Sequence, residues 1–408
     1  MIPLLGDTKG KILEMLQLAP SQGIHDGFFI ALAMVMSRLS TTPRHPEAPN
    51  LDGTGARAAL KALLSAEHQA AITNDSADAG KLIVYLQAYI LVVMALEMEG
   101  PLAHKGDELL KRSAWLGSAM DMAERLKLHQ TQDQDTHPED MIAVVKRRAY
   151  LTIVLLDWFH AASTANHPHF QDRATKVLPS DFAVVGEAFY NLMHLSRFMS
   201  HLVTVAVLPT PIYDAPEDRI SNVLLSGELQ AINTNTFQPV LAKYPVVRAA
   251  YFHAKVFLAR LFLSRHSVAD SDLLSPARAL CRLLDSDEYT RNPLTHHFVA
   301  LAVHTQMDLS RFPGSNAVAH DALGELVHAI DVRNILATDN AAGWKPALSK
   351  ALQAKLEALE ADSAVQANLQ HLAEAVPGGS TEGEGTGGGK VEDWSKVLRE
   401  GYLSGFKG

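Results

Sequence analysis

Histidine is abundant in this sequence, with 19 among 408 residues, so metal binding is the first chemistry to consider. Zinc hydrolases carry H-E-x-x-H on one helix, and the motif is absent. Di-iron bundles need two E-x-x-H motifs, and the chain has one, at Glu325 and His328. His296 and His297 are adjacent, so we expect them to point to different sides of a helix. The sequence therefore predicts no metal site and no cofactor in this chain.

Other catalytic motifs are equally weak. Gly383, Gly385 and Gly388 match G-x-G-x-x-G, but a linker composition precedes them where a dinucleotide site needs a strand. Neither a G-x-S-x-G elbow nor a P-loop is present. The single cysteine, Cys281, lies in an apolar helical stretch and is predicted to be buried and structural. These observations predict that the chain is not an enzyme.

Charge and composition narrow the classes of partner. The formal net charge is −9, whereas a surface that binds nucleic acid is usually strongly basic. We therefore expect no direct nucleic-acid contact. The longest apolar stretch, Leu82 to Met98, contains Gln87 and Glu97 and is at the short limit for a bilayer. It is predicted to be a buried core helix, so no membrane partner is expected.

The sequence predicts that helices position whatever functional site the chain has. Apolar residues recur at spacings of three and four along most of the chain, and strand-type alternation is scarce. Because no fixed repeat length is visible, a regular solenoid is not predicted. We expect an all-α fold, a large irregular multi-helix array of about a dozen helices in a single continuous body.

Composition divides the chain into three parts. Residues 1–376 are predicted to form the helical domain. Residues 377–389 are predicted to form a Gly-rich flexible linker. Residues 390–408 form a short amphipathic aromatic segment, with Trp394, Leu398, Tyr402 and Phe406 as its candidate docking or activation residues. We expect this segment to dock into an apolar groove, in cis or on a partner. The alternative is a disordered activation segment.

One acidic residue interrupts an aromatic-rich helix. Asp157 lies among apolar residues, and an unpaired buried carboxylate is costly. A basic run, Lys146 to Arg148, precedes it. We therefore expect Asp157 to be capped, paired or partly exposed, with Arg147 or Arg148 as the candidate partner if it is paired.

Three segments, in order, resemble the middle homology region of fungal zinc-cluster transcription factors: AWLGSAMDMAERLKLHQ, KRRAYLTIVLLDWFHAAST and NHPHFQDRATKVLPSDF. The match covers about residues 80–210, and its motif positions are Leu126, Leu128, His129, Arg147, Arg148, Asp157, Pro168, Leu178 and Pro179. The chain departs from the family pattern at Ala149-Tyr150, where tryptophans are frequent. It departs again at Asn166-His167, where the family has Gly-Arg.

The resemblance implies a nuclear regulatory domain of an RNA polymerase II transcription factor. It implies coactivator or corepressor partners, and it leaves a small-molecule effector and a homodimer open. The family's zinc and its DNA binding belong to a six-cysteine cluster, which one cysteine cannot build here. Either the chain is truncated and the cluster lies outside it, which we expect, or the chain is a relative that never had the cluster. A helical enzyme with an unrecognised site and a protein-interaction scaffold are the alternatives.

Overall fold

The computed structural model describes residues 13, 16–17, 22–39, 79–99, 112–131, 139–171, 175–207, 216–232, 237–262, 273–312, 314–336, 344–374 and 395–403. Within these ranges the chain is helical and contains no strand. The predicted all-α array in one body is thus confirmed. The linker predicted over 377–389 lies outside the described residues.

Fourteen α-helices occur in the described ranges. They are α1 (Gln22–Leu39), α2 (Ala79–Glu99), α3 (Arg112–Arg125), α4 (Met141–Thr164), α5 (Asp181–Val185), α6 (Glu187–Ala206), α7 (Pro216–Ile232), α8 (Gln238–Lys243), α9 (Pro245–Phe262), α10 (Leu274–Leu284), α11 (Thr295–Leu309), α12 (Asn316–Asp331), α13 (Trp344–Glu374) and α14 (Lys396–Glu400). A 3₁₀ turn at Leu128–Thr131 follows α3.

The helices pack in a continuous series. Helix α2 lies between α1 and α3 and also contacts α4, which packs on α6. Helix α9 then joins α6 to α10 and α11, and α12 connects these to α13. The short α14, near the end of the chain, packs back onto α4 and α9. Helices α2, α4, α9 and α11 therefore lie at the centre and form the core.

Helix α2 is buried on every side, since all residues from Ile83 to Met98 are buried. This confirms the buried core helix predicted over Leu82 to Met98. Among the described residues, no helix is both long and apolar enough to cross a membrane. Two polar side chains, Gln87 and Glu97, are carried into the interior with the apolar ones. Each of them needs a polar partner there.

Helix α4 has defined signals at both ends. The Asp140 side chain accepts a hydrogen bond from the Ala143 N–H at 3.0 Å, which caps the first turn. The helix ends where Ala165 adopts the left-handed conformation, with φ +54°. Its N–H donates to the Ala161 carbonyl. A Cβ in this conformation costs about 1 kcal/mol, which is why glycine is usual here.

We expect Ala165→Gly to raise the free energy of unfolding by about 0.5 kcal/mol, because relief of the left-handed strain exceeds the added entropy of the unfolded chain. Ala162→Gly, within the same helix, is the matched control and should lower it by about 1 kcal/mol. Urea unfolding followed by circular dichroism measures both. Equal destabilisation by the two variants would contradict the strain at Ala165.

Candidate functional site

Four polar side chains meet in the interior where three helices come together. Glu97 comes from the last turn of α2, Arg112 begins α3, and His296 and His297 lie in the first turn of α11. The Glu97 Oε2 atom is 2.8 Å from Arg112 Nη1, 2.8 Å from His296 Nε2 and 3.2 Å from His297 Nε2. Glu97 and the two histidines are at most 1% exposed. We call these four residues the Glu97 cluster.

The expectation that His296 and His297 point to different sides of a helix is wrong. Their ring centroids are 3.9 Å apart, and both Nε2 atoms face the same carboxylate. The start of α11 is enclosed by other helices, because every residue from Thr295 to Val303 is buried. Both side-chain directions therefore lead into the protein interior, and the two rings turn toward the one carboxylate within reach.

A second layer of aromatic and imidazole groups covers the cluster. The Tyr402 hydroxyl is 3.2 Å from His297 Nδ1 and 3.4 Å from His253 Nε2. The Phe159 ring packs beside both His253 and His297. All of these side chains are buried. Described residues thus shield Glu97, His296 and His297 from solvent, whereas Arg112 is partly exposed.

Burial and charge set the protonation states. Burial alone would raise the pKa of Glu97, but the charges of Arg112 and His296 and the hydrogen bonds of the two histidines outweigh it, so this pKa lies well below its usual value. Burial lowers the pKa of His296, and it lowers that of His297 strongly. It also lowers the pKa of His253 to about 3. The Glu97 carboxyl is thus held in its ionised form inside the protein.

The cluster has the composition of a cation site. The ligand atoms of Glu97, His296 and His297 all lie within 4.8 Å of one another. One buried atom of the set, Glu97 Oε1, makes no hydrogen bond with any described residue. Sequence patterns missed this set because about 200 residues separate the glutamate from the histidines. The one local signal was Glu97 itself, a charge inside an apolar helix.

The C-terminal segment closes the cluster from one side. Leu398, Tyr402 and Leu403 are buried against α4 and α9. The Leu403 N–H donates to the Ser163 carbonyl at 3.1 Å. Trp394 and Phe406, also predicted to dock, lie outside the described residues. The docking role assigned to the segment from its sequence stays a prediction.

Gly401 fits this contact for a steric reason. It has φ +82°, and a Cβ on it would lie 2.7 Å from the backbone of Ser163 and Thr164. Real Cβ atoms do not approach backbone atoms so closely, and L residues rarely adopt this φ. A side chain at position 401 would therefore push the segment away from the end of α4.

The motif residues of the family resemblance hold a loop onto α4. Arg147 Nε and Nη2 donate to the two carboxylate oxygens of Asp181 at 2.7 and 2.6 Å. Arg147 Nη2 also donates to the Lys176 carbonyl at 2.6 Å. Arg148 Nε donates to the Val184 carbonyl at 2.7 Å. These contacts fix the loop between α4 and α5.

Of the three outcomes expected for Asp157, the structure shows capping by a backbone N–H, and the pairing with Arg147 or Arg148 is wrong. Its Oδ2 accepts a hydrogen bond from the Phe170 N–H at 2.9 Å. The neighbouring Trp158 indole N–H donates to the Phe170 carbonyl at 2.8 Å. Burial raises the pKa of Asp157 to about 6, although the hydrogen bond from Phe170 and the charge of His169 act in the opposite direction. A backbone N–H thus takes the place of the expected guanidinium.

The remaining motif positions vary in burial. Leu128 is buried, Leu126, Pro168 and Leu178 are half-buried, and His129 and Pro179 are exposed. Glu325 and His328 do not share a site, because Glu325 contacts Arg282 and His328 contacts Asp285. Cys281 is buried as predicted, and burial raises the pKa of its thiol to about 12. Such a thiol is not a nucleophile.

An open cavity of about 800 Å³ lies between α9 and α10, far larger than a single water needs. Arg248, Arg278 and Arg282 line it together with apolar residues such as Phe252 and Val318. Each arginine also contacts an acidic side chain: Glu288, Asp321 and Glu325, respectively. The positive charges on the wall of the cavity are therefore each balanced by an acidic side chain.

The described residues form an all-α protein with a cluster of ionisable side chains in its interior. The chain is similar to an uncharacterized transcriptional regulatory protein of Schizosaccharomyces pombe, with 25% identity over 303 residues. The match covers 72% of this chain and 33% of that protein, so the chain spans about a third of the length of this relative. No family model matches the chain. No solved structure matches it either.

Proposed function

We propose that this chain is the regulatory region of a fungal transcription factor and acts in the nucleus. The observation that carries the proposal is the similarity, over 72% of the chain, to a protein named as a transcriptional regulator. The resemblance of residues 80–210 to the middle homology region agrees with it. In this proposal DNA binding belongs to a zinc cluster outside the chain, and coactivators or corepressors are the partners.

The C-terminal segment is the proposed regulated element. Support comes from the burial of Leu398, Tyr402 and Leu403 against the helical body, and from the close approach of Gly401 to the end of α4. A segment held in this way hides its apolar face from any partner. Because a tethered segment has a high effective concentration, even weak contacts keep it docked. A coactivator then competes with the body for the same apolar face.

We expect Gly401→Ala to release this segment and to raise transcriptional output. The full chain, fused to a heterologous DNA-binding domain in yeast, should drive a reporter several-fold more strongly with this substitution, since the apolar face becomes available to coactivators. Hydrogen exchange should show the release directly. The Leu403 amide, which donates to the Ser163 carbonyl, should lose its protection.

Gly324→Ala is the matched control, because a Cβ on Gly324 meets no atom within 4 Å and its φ is helical. This variant should leave the reporter output and the Leu403 amide unchanged. Loss of amide protection with no change in reporter output would contradict the proposed regulation. A wild-type fusion that leaves the reporter at the level of the DNA-binding domain alone, with no response to Gly401→Ala, would contradict the transcriptional role.

A further inference from the structure

We propose that Glu97, His296 and His297 bind one divalent transition metal ion of the zinc class in the interior of the protein. Two imidazoles and one carboxylate are a ligand set that zinc uses in proteins. The three side chains come from the facing ends of α2 and α11, so the folded helices bring them together. The proposal needs neither the transcriptional role nor the identity of any partner.

The distances suit a metal ion. In a tetrahedral site with ligands about 2.1 Å from the metal, neighbouring ligand atoms are about 3.4 Å apart. Glu97 Oε2 lies 2.8 Å from His296 Nε2 and 3.2 Å from His297 Nε2. Shifts of a few tenths of an ångström in side-chain position would therefore open the space between them to a metal ion.

Two observations other than the spacing favour a metal ion at this carboxylate. First, Glu97 Oε1 is buried without a hydrogen-bond partner among the described residues, which is costly for a carboxylate oxygen. Second, Glu97 lies in the last turn of α2, where the helix dipole is negative and no basic residue occurs. A metal ion bound to this carboxylate would satisfy its free oxygen and place positive charge near the end of α2.

Arg112 competes with the metal for the same carboxylate. Its Nη1 atom is 2.8 Å from Glu97 Oε2 and 3.3 Å from His296 Nε2, so its guanidinium faces two of the three ligands. Its side chain is 15% exposed, unlike the fully buried ligands, so the guanidinium has a path toward solvent. Metal binding would displace it from His296. Removal of this charge should therefore strengthen metal binding.

Tyr402 connects the metal site to the C-terminal segment. When a histidine binds a metal through Nε2, its Nδ1 carries hydrogen and usually donates to a nearby acceptor. For His297 that acceptor is the Tyr402 hydroxyl at 3.2 Å, which in turn faces His253. The docked segment thus orients one metal ligand, and metal affinity should depend on the segment being in place.

The test uses the full chain, stripped with a chelator and titrated with Co²⁺, whose visible absorption reports tetrahedral coordination. We expect one Co²⁺ per chain, displaced by Zn²⁺. Affinity should fall at least 100-fold in His296→Gln and about 10-fold in Tyr402→Phe, the range for loss of a group that orients a ligand. Arg112→Met should bind more tightly than the wild type. His320→Gln, which removes a histidine on α12 outside the cluster, is the control and should bind like the wild type.

A wild-type chain that shows no tetrahedral Co²⁺ absorption would overturn the proposal, and the cluster would then be an ion network centred on Glu97 and Arg112. Equal Co²⁺ affinity in the wild type and His296→Gln, with both folded by circular dichroism, would overturn it as well. Tighter binding by Arg112→Met supports the competition. Weaker Co²⁺ binding by folded Arg112→Met would contradict the proposed competition between Arg112 and the metal.

Discussion

Replacement of Arg147 by methionine is expected to lower the free energy of unfolding by about 3–5 kcal/mol, the range for breaking one partner of a buried ion pair. Arg147 and Asp181 are 5% and 1% exposed and form two parallel hydrogen bonds. The substitution leaves the carboxylate buried with only the Leu178 N–H still donating to it at 2.7 Å. The loss should therefore exceed that of an ordinary surface substitution.

A double-mutant cycle separates the pair from its surroundings. Asp181→Asn alone should destabilise strongly, because it leaves Arg147 charged and underpaired. Arg147→Met combined with Asp181→Asn should cost clearly less than the sum of the single variants, since the double variant leaves no unpaired charge at this site. Guanidinium chloride unfolding of the full chain measures all three variants.

Arg125→Met provides the matched control. Arg125 pairs with Asp121 at the same kind of distance, 2.8 Å, but both side chains are more than 40% exposed. Solvent screens this pair, so its loss should change the free energy of unfolding by about 0.5 kcal/mol or less. If Arg147→Met were as mild as Arg125→Met, the loop between α4 and α5 would not be held by the buried pair.

Helices could be predicted from this sequence because their signal is local. The apolar run of α2 and the apolar repeats of α4 determine burial within the segment itself, and both helices occur where they were predicted. The partners of charged side chains cannot be predicted from a local signal in this way. Arg147 lies ten residues before Asp157 but 34 residues before its true partner, Asp181, and only the path of the loop decides between the two.

The Glu97 cluster is even harder to predict from local sequence patterns. Its members come from three helices, and no local pattern relates a glutamate at the end of α2 to two histidines at the start of α11. The helical period even suggested that His296 and His297 diverge, which holds for their Cβ directions on an isolated helix but not for the rings inside a packed core. Gly401 likewise carries no pattern, because its role depends on the backbone of α4.

The raised pKa of Asp157 should be visible in the pH dependence of the free energy of unfolding. The folded-state pKa is about 6, above the usual value of 3.8, because burial penalises the charged carboxylate. Between these values the folded protein holds the proton more tightly than the unfolded chain. The contribution of Asp157 to the free energy of unfolding therefore falls as the pH rises through this window, and it is constant above it.

We expect Asp157→Asn to remove this dependence. The difference in free energy of unfolding, variant minus wild type, should increase by roughly 2 kcal/mol between pH 4 and pH 7.5, since only the wild type must ionise a buried acid. The comparison is relative, so loss of the hydrogen bond from Phe170 shifts the whole curve without changing its slope. Urea unfolding at a series of pH values gives both curves.

Asp121→Asn is the control, because Asp121 is half-exposed in its ion pair with Arg125. At neutral pH this variant should change the free energy of unfolding by about 0.5 kcal/mol or less, as expected for the loss of an exposed ion pair. His169 is the other titratable group that acts on Asp157, and its charge lowers the pKa of the carboxyl. His169→Gln should therefore raise that pKa and shift the window to higher pH. A flat difference curve for Asp157→Asn would mean that the carboxylate is solvated, and that the loop from Asn166 to Phe170 does not cover it.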